Sequence, residues 1–447
     1  MRKSNFLYRF FAGLLFSALF FVSCQKDPDV PPPQTADYAA TVATKWFEQF
    51  RALTRVCPGF TPPVAARAFG YAGVALYESV VPGMPLHHSM KGRLGQLTTL
   101  PEADPRQIYH WPTAANAAMA EIAQLFYANM PQAAYSQVLD LEVSIRLEIE
   151  QGIDGETLLR SREFGKAIAE AVFEWSKTDG GHQGYLTNFP QSYTPPTGPG
   201  FWKPTPPAFQ RALQPFWGNN RPFVPGAIAL TQPPPPPSFS TDPNSEFYRQ
   251  ASEVYQVKQN LTPEQERIAK FWSDDPGIGG TPPGHSISIA TQVLQKEQAD
   301  LALAAETYAK VGIAVSDAFI SCWKCKYDFN LMRPVTYIRE QFDAAWLPLL
   351  NTPPFPEYTS GHSVQSGATA TVLTDLFGNQ YRFTDYTHEL RVDIDGSPRS
   401  YDSFMEMANE AASSRLYGGI HFRDGIDAGL VQGVKIGEAV NSLPIHK

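Results

Sequence analysis

Cysteine is scarce in this chain, with four residues in 447. Cys24 lies near the N-terminus, which leaves Cys57, Cys322 and Cys325 for everything that follows. Three thiols build no disulfide framework. A zinc site wants four ligands, and no second Cys or Cys/His pair stands at finger spacing. Cys322-x-x-Cys325 also lies inside a long helical pattern, whereas a thioredoxin-type site follows a strand. Buried or locally paired thiols are therefore expected. An excess of positive charge is missing too. Lys and Arg number 36 against 44 Asp and Glu, a formal net charge of −8. That balance argues against nucleic acid or anionic lipid as the main partner. Beyond the first 23 residues no apolar run approaches the roughly eighteen needed to span a membrane, so the remainder is expected to be soluble. No repeat at a period of about 20–50 residues is visible, which excludes a solenoid.

What is present is globular in character: 43% hydrophobic and 18% charged, and long enough for one large core or two smaller ones. At the N-terminus Arg2, Lys3 and Arg9 precede the apolar run Phe10–Val22, and Ser23-Cys24 follows. A basic region, a short apolar region and a small residue are the layout of a secretory signal. Phe21-Val22-Ser23-Cys24 resembles a bacterial lipobox, with Phe21 where Leu is usual. The expectation is a signal peptide over 1–23, lipid-modified Cys24, and a tether over 24–36. The protein would then be exported and held on the periplasmic or surface side of a bacterial membrane by its anchor alone.

Residues 37–178 read as an N-terminal helical half, with Trp46, Phe47, Phe50 and Leu53 at helical spacing and small residues along one face of the segment after Pro62-Pro63. Leu139–Glu150 alternates apolar and polar, but no second alternating run stands nearby to pair with it, so it too is expected to be helical. Residues 179–243 are proline-rich and interleaved with Trp202, Phe209, Trp217 and Phe223, which suits a covering that packs on the surface. Residues 244–442 resume as a C-terminal helical half. Thr262 is placed to cap one helix, Asp300–Tyr327 forms the longest, and 379–399 is irregular with room for a short hairpin. The fold class predicted is all-α, helical bundles with long Pro-rich loops.

The chemistry concentrates around Phe355-Pro-Glu-Tyr-Thr-Ser360-Gly361-His362, directly before a predicted helix over 363–377. Such a start aims unpaired backbone N–H groups, a hydroxyl and an imidazole at one spot, which suits an oxyanion. Alone it is equally an ordinary cap and turn. Two further basic clusters lie near helix ends: Lys326 with Arg333-Pro334, and Ser414-Arg415 with His421 after Gly418-Gly419. Lys-x6-Arg-Pro, then Ser-Gly-His, then Ser-Arg-x5-His resembles the three-part signature of the vanadium haloperoxidase and type 2 phosphatidic acid phosphatase superfamily. The resemblance spans about 272–442. Trp323 and Phe355 stand where that family places halide-site aromatics. Trp272–Pro283 resembles a chloroperoxidase stretch in which the Asp three after Trp supports the anion-site arginine, which would pair Asp275 with Arg415. Pro62–Val80 looks like the helical half of bacterial members. Two departures stand out: Thr359 replaces the usual Pro, and Gly425 replaces a frequent Asp four after His421, with Asp424 and Asp427 flanking it. His285, ending a Gly-rich loop, reads as either cleft lining or a cap.

The resemblance implies a vanadium-dependent haloperoxidase that oxidises halide with hydrogen peroxide to hypohalous acid. Vanadate would be held by Lys326, Arg333, Ser360, Gly361, Arg415 and His421, with His421 as its ligand and His362 as acid/base. Phosphate has nearly the same shape, so a soluble acid phosphatase working through phospho-His421 is the alternative. A non-catalytic oxyanion-binding surface lipoprotein is the third reading. Partners are small molecules, and a homodimer is left open by analogy.

Overall fold

Six helices begin where a side chain takes a first-turn N–H that has no partner inside the helix: Asp154, Ser245, Thr262, Asp300, Ser360 and Ser403. Thr262 and Gln265 form a reciprocal capping box. In the computed structural model, which describes residues 32–275 and 277–447, these and other local signals yield fourteen α-helices. They are α1 (Thr41–Val56), α2 (Pro62–Val80), α3 (Trp111–Phe126), α4 (Gln132–Ile149), α5 (Gly155–Ser176), the single turn α6 (Ala227–Leu230) and α7 (Glu246–Gln259). Then come α8 (Pro263–Phe271), α9 (Thr281–Lys296), α10 (Leu301–Phe329), α11 (Pro334–Gln341), α12 (Gly361–Phe377), α13 (Phe404–Tyr417) and α14 (Arg423–Asn441). The chain is all-α, as its sequence pattern indicated, and the alternating run at 139–150 is indeed helical. The hairpin is small: β1 (Phe383–Asp385) pairs antiparallel with β2 (Arg399–Tyr401), Phe383 opposite Tyr401. The leader, Cys24 and the first part of the tether lie outside the described residues. Among the described residues no helix is long and apolar enough to cross a membrane.

Residues 33–447 form one compact unit, so the two helical halves are not separate bodies. The seam between them is α2 against α10, and it is close because both helices carry small residues there. A Cβ on Gly73 would lie 2.5 Å from the Tyr308 carbonyl oxygen, and one on Gly312 would lie 2.6 Å from that of Phe69. Neither α2 nor α10 shows an amphipathic stripe; both are buried almost all round.

The proline-rich covering is anchored rather than loose. Trp202, Trp217 and Phe223 are buried, while Phe209 stays exposed. The buried Asp317 carboxylate on α10 accepts the Phe223 and Val224 N–H groups at 2.8 and 2.9 Å. Further on, Trp202 N–H donates to the Asn330 carbonyl and Leu213 N–H to that of Pro354. Cys57, Cys322 and Cys325 are free and buried. Burial pushes the Cys57 and Cys325 thiols up to about 12, which leaves them inert as nucleophiles.

Gly73→Ala tests the seam. Backbone, not a flexible side-chain end, meets the added methyl, so the helices must separate. A loss of about 1–3 kcal/mol is expected from the overpacked contact, read as a lower urea midpoint.

Candidate active site

Lys326, in the last turn of α10, is fully buried and spends its ammonium on one loop. Its Nζ donates to the carbonyls of Pro356 (3.1 Å), Glu357 (3.0 Å) and Thr359. That loop leads into α12. Ser360 caps the helix by accepting from Ser363 N–H at 3.3 Å, and its own N–H donates to the Gly425 carbonyl of α14 at 2.8 Å. The Gly361 and His362 N–H groups then open the first turn, where no carbonyl of the helix can reach them. The Lys326 ammonium also lies over the Phe355 ring at 4.9 Å and the Trp323 ring at 5.8 Å. Burial brings its pKa down to about 8.

Arg333 precedes α11 and is equally buried. Its Nε donates to the Phe355 carbonyl at 2.8 Å. Nη1 donates to the Ile420 carbonyl at 2.8 Å and to His421 Nε2 at 3.1 Å, while Nη2 is buried without a partner. Guanidinium can only donate, so His421 Nε2 must offer its lone pair. The proton therefore sits on Nδ1, which donates to Glu357 Oε1 at 2.7 Å. Burial, then Arg333, Lys326 and Arg415, hold His421 well below the ordinary histidine range, so it is a neutral imidazole. Arg415, in the last turn of α13, donates to the carbonyls of Ala269 (3.2 Å) and Trp272 (2.7 Å) and to Ser414 Oγ (2.9 Å). Burial lowers both arginines to about 10, still charged at neutral pH. His362 is likewise depressed, first by burial and then by Arg415, and its Nε2 is enclosed with no partner.

These groups meet at a cavity of about 410 Å³. Trp323, Phe355, Gly361, His362, Arg415 and His421 line it, and Thr205–Ala208 with Leu213 of the proline-rich covering supply part of the wall. Lys326, Arg333 and Ser360 stand behind that lining, and Arg333 is bonded to Phe355, Ile420 and His421 within it. The result is three cations, a neutral imidazole whose Nε2 lone pair accepts from Arg333, and unspent N–H donors. Such a donor set matches a tetrahedral oxyanion.

Known proteins agree. Residues 306–444 match the model of the second helical-bundle domain of vanadium chloroperoxidases. The vanadium chloroperoxidase of Curvularia inaequalis is 24% identical over 465 residues, covering 81% of this chain and 74% of that protein. A crystal structure described as the first bacterial vanadium-dependent iodoperoxidase superposes with a TM-score of 0.82 at 35% identity, covering 92% of this chain and 98% of that one. The chain belongs to the vanadium haloperoxidase superfamily. A bacterial vanadium-dependent chloroperoxidase in its holo form shares the fold, with a TM-score of 0.69 at 19% identity over 87% of this chain.

Against the haloperoxidase pattern, the structure corrects several residue expectations. Asp275 does not pair with Arg415: among the described residues no carboxylate comes within 4.0 Å of that arginine, which is held by carbonyls instead. Asp275 stands exposed at the cavity edge. Thr359 ties the loop to α14, its hydroxyl donating to Gln432 Oε1 at 2.7 Å. Neither Asp424 nor Asp427 replaces the missing aspartate at 425. Glu357 does, from a different segment, and sequence reading passed over it. The available signal was a lone carboxylate three residues before Ser360, in a chain with glycine at 425.

His285 neither lines the cleft nor caps a helix. It is fully buried between Asp274 (3.0 Å to Nδ1) and Asp385 (2.6 Å to Nε2), and His388 Nε2 bonds Asp274 at 3.0 Å. Trp272 stacks on it at 4.4 Å, and the same tryptophan's carbonyl holds Arg415. Burial works against the imidazolium, but the two carboxylates prevail and raise His285 to about 10, while Asp385 falls to about 2. A raised histidine stabilises fully below its ordinary 6.5, and that stability is lost as pH climbs through about 10. A depressed carboxylate stabilises above 3.8 and loses this as pH falls through about 2. The cluster is therefore fully effective from about pH 4 to 6.5. His285→Asn should cost about 3–5 kcal/mol near pH 6, because two buried carboxylates lose their cation. Denaturant titrations should show the penalty shrinking toward pH 10.

Proposed function

We propose that this chain is a haloperoxidase that uses vanadate to oxidise halide with hydrogen peroxide. The carrying observation is His421: a neutral imidazole lining the cavity, its Nε2 lone pair held by Arg333 and its Nδ1–H by Glu357. The residues fit the group on the chain's own evidence, since Arg333 Nη2 and His362 Nε2 are buried there without partners. Arg333, Arg415, Ser360 and the Gly361 N–H would hold the anion's oxygens, Lys326 would add charge, and His421 Nε2 would be the ligand. When bound, vanadate supplies a Lewis-acidic centre that activates hydrogen peroxide toward attack by halide.

The chain's own contribution is preorganisation. The cations are fixed before any charge develops, so no reorganisation is spent on them during reaction. His362, neutral at working pH, can accept a proton at Nε2 from peroxide and return it to the product side. Trp323 and Phe355, 4.9 Å apart, give a weakly hydrated wall with the Lys326 ammonium behind it, a setting suited to a desolvated halide. Iodide, the most easily oxidised halide, is proposed as the readiest substrate, in keeping with the 35%-identical iodoperoxidase. The N-terminal segment would anchor the enzyme outside the cytoplasm through Cys24.

One observation keeps a phosphatase in view. Glu357 holds His421 Nδ1–H, which would suit a nucleophile in a phospho-His421 route as well as a ligand to vanadate. The two readings separate in a single assay set on protein lacking residues 1–24. Bromination or iodination of a dimedone-type acceptor should require both peroxide and vanadate. Hydrolysis of p-nitrophenyl phosphate that vanadate inhibits, without halogenation, would replace the haloperoxidase by the phosphatase. His421→Ala should abolish vanadate binding. His362→Ala should bind vanadate yet lower turnover by about 10²–10⁴-fold, the range of a lost general acid/base.

A further inference from the structure

We infer that Glu357 is the positioning carboxylate of His421, fixing its tautomer for ligation, and that position 425 is glycine because Glu357 occupies the space there. The inference rests on the reading of His421 as the imidazole that anchors the oxyanion. Glu357 is wholly buried in the loop that Lys326 organises. Its N–H donates to the Leu331 carbonyl at 2.9 Å and its carbonyl accepts from Lys326, so the backbone has little freedom. Its Oε1 receives both His421 Nδ1–H at 2.7 Å and Phe422 N–H at 3.0 Å. Two donors from adjacent residues on one oxygen fix both the ring and the chain that carries it.

Gly425 completes the arrangement. A Cβ there would lie 2.5 Å from Oε1 and 2.7 Å from Oε2, inside any real contact distance. A side chain at 425 and the carboxylate of Glu357 are therefore mutually exclusive as placed. The colliding atoms are the far end of a flexible side chain, so a methyl at 425 displaces the carboxylate before it disturbs the backbone. The same function, a carboxylate on the Nδ1 side of the histidine, is supplied by the loop before α12 instead of the first turn of α14. One consequence is that the groups flanking the oxyanion share a single support. Glu357 orients the ligand histidine, and five residues later His362 faces the same cavity.

The test uses the full chain and three variants: Glu357→Leu, Glu357→Gln and Gly425→Ala. Histidine ring ¹⁵N shifts in vanadate-free protein report the tautomer, and calorimetric titration with orthovanadate reports affinity. Circular dichroism establishes that each variant is folded. In the parent the His421 ring should be locked as Nδ1–H. Glu357→Leu should lose that signature and weaken vanadate binding by about 10–100-fold, as removal of an outer carboxylate typically does. Glu357→Gln keeps an acceptor oxygen on the ring and should retain the signature, which a purely space-filling role would not require. Gly425→Ala should mimic Glu357→Leu although Glu357 is intact, and it carries the test if the leucine variant does not fold. An unchanged tautomer with affinity within twofold of the parent, in either folded variant, would overturn the assignment. Should the parent bind no vanadate, the haloperoxidase reading fails while the tautomer comparison still decides this one.

Discussion

A buried ammonium holds this site together. Lys326 comes from the end of a long, fully enclosed helix, and an unpaired charge there would be prohibitively costly. Its solution is to place its donors on carbonyls of one short loop. That demand shapes the stretch from Phe355 to His362, and through it nearly every functional group. Phe355 lies under the ammonium, Glu357 turns toward His421, Thr359 reaches Gln432, and Ser360 starts α12. The lysine is thus as much a scaffold as a wall of positive potential. Its bonds to carbonyls also correct a simpler picture in which all three cations point their donors at the anion.

Electrostatics then sets protonation states without further devices. Three cations and two histidines share a dry region in which Glu357 is the one carboxylate bonded to the histidine that faces them. Burial depresses both arginines and, with the neighbouring cations adding to it, both histidines, which leaves a site whose potential is met only when an anion arrives. Counter-charge is available nearby. Asp274 and Asp385 are bonded to His285, and Asp274 also reaches the cavity wall, where its charge works against the lowering of His362 and Arg415.

Much of this was legible from sequence where the information is local. Lys326 and Arg333 are seven positions apart across one helix end, and Ser360-Gly361-His362 is contiguous. The cap at Thr262 obeys chemistry that spans a single turn. The proline-rich covering revealed itself through its aromatics, two of whose tryptophans are buried. What escaped depends on which distant segments converge. Adjacent aspartates at 274 and 275 look interchangeable in a string, yet one faces His285 and the other solvent. Glu357 and Gly425 are 68 positions apart, and their complementarity exists only once α14 packs against the loop. His285 could not be classed, because its two carboxylates lie on opposite sides of it in sequence.

One cage can serve two chemistries, and the state of His362 is what divides them. A phosphatase needs a protonated acid to release its alcohol, and here burial and Arg415 favour the neutral imidazole. A bound dianion would offset Arg415 and restore part of that basicity, so the acid role becomes available only after substrate arrives. Taking a proton from peroxide requires the opposite state, which the chain already holds. The chamber itself is mixed: Trp323, Phe355 and the prolines of the covering give it an apolar side, while Thr61, Gln210, Ser273, Asn351 and Thr352 give it a polar one. Protonation state is therefore what favours halide oxidation, since the oxyanion-binding residues and the walls alone would permit either.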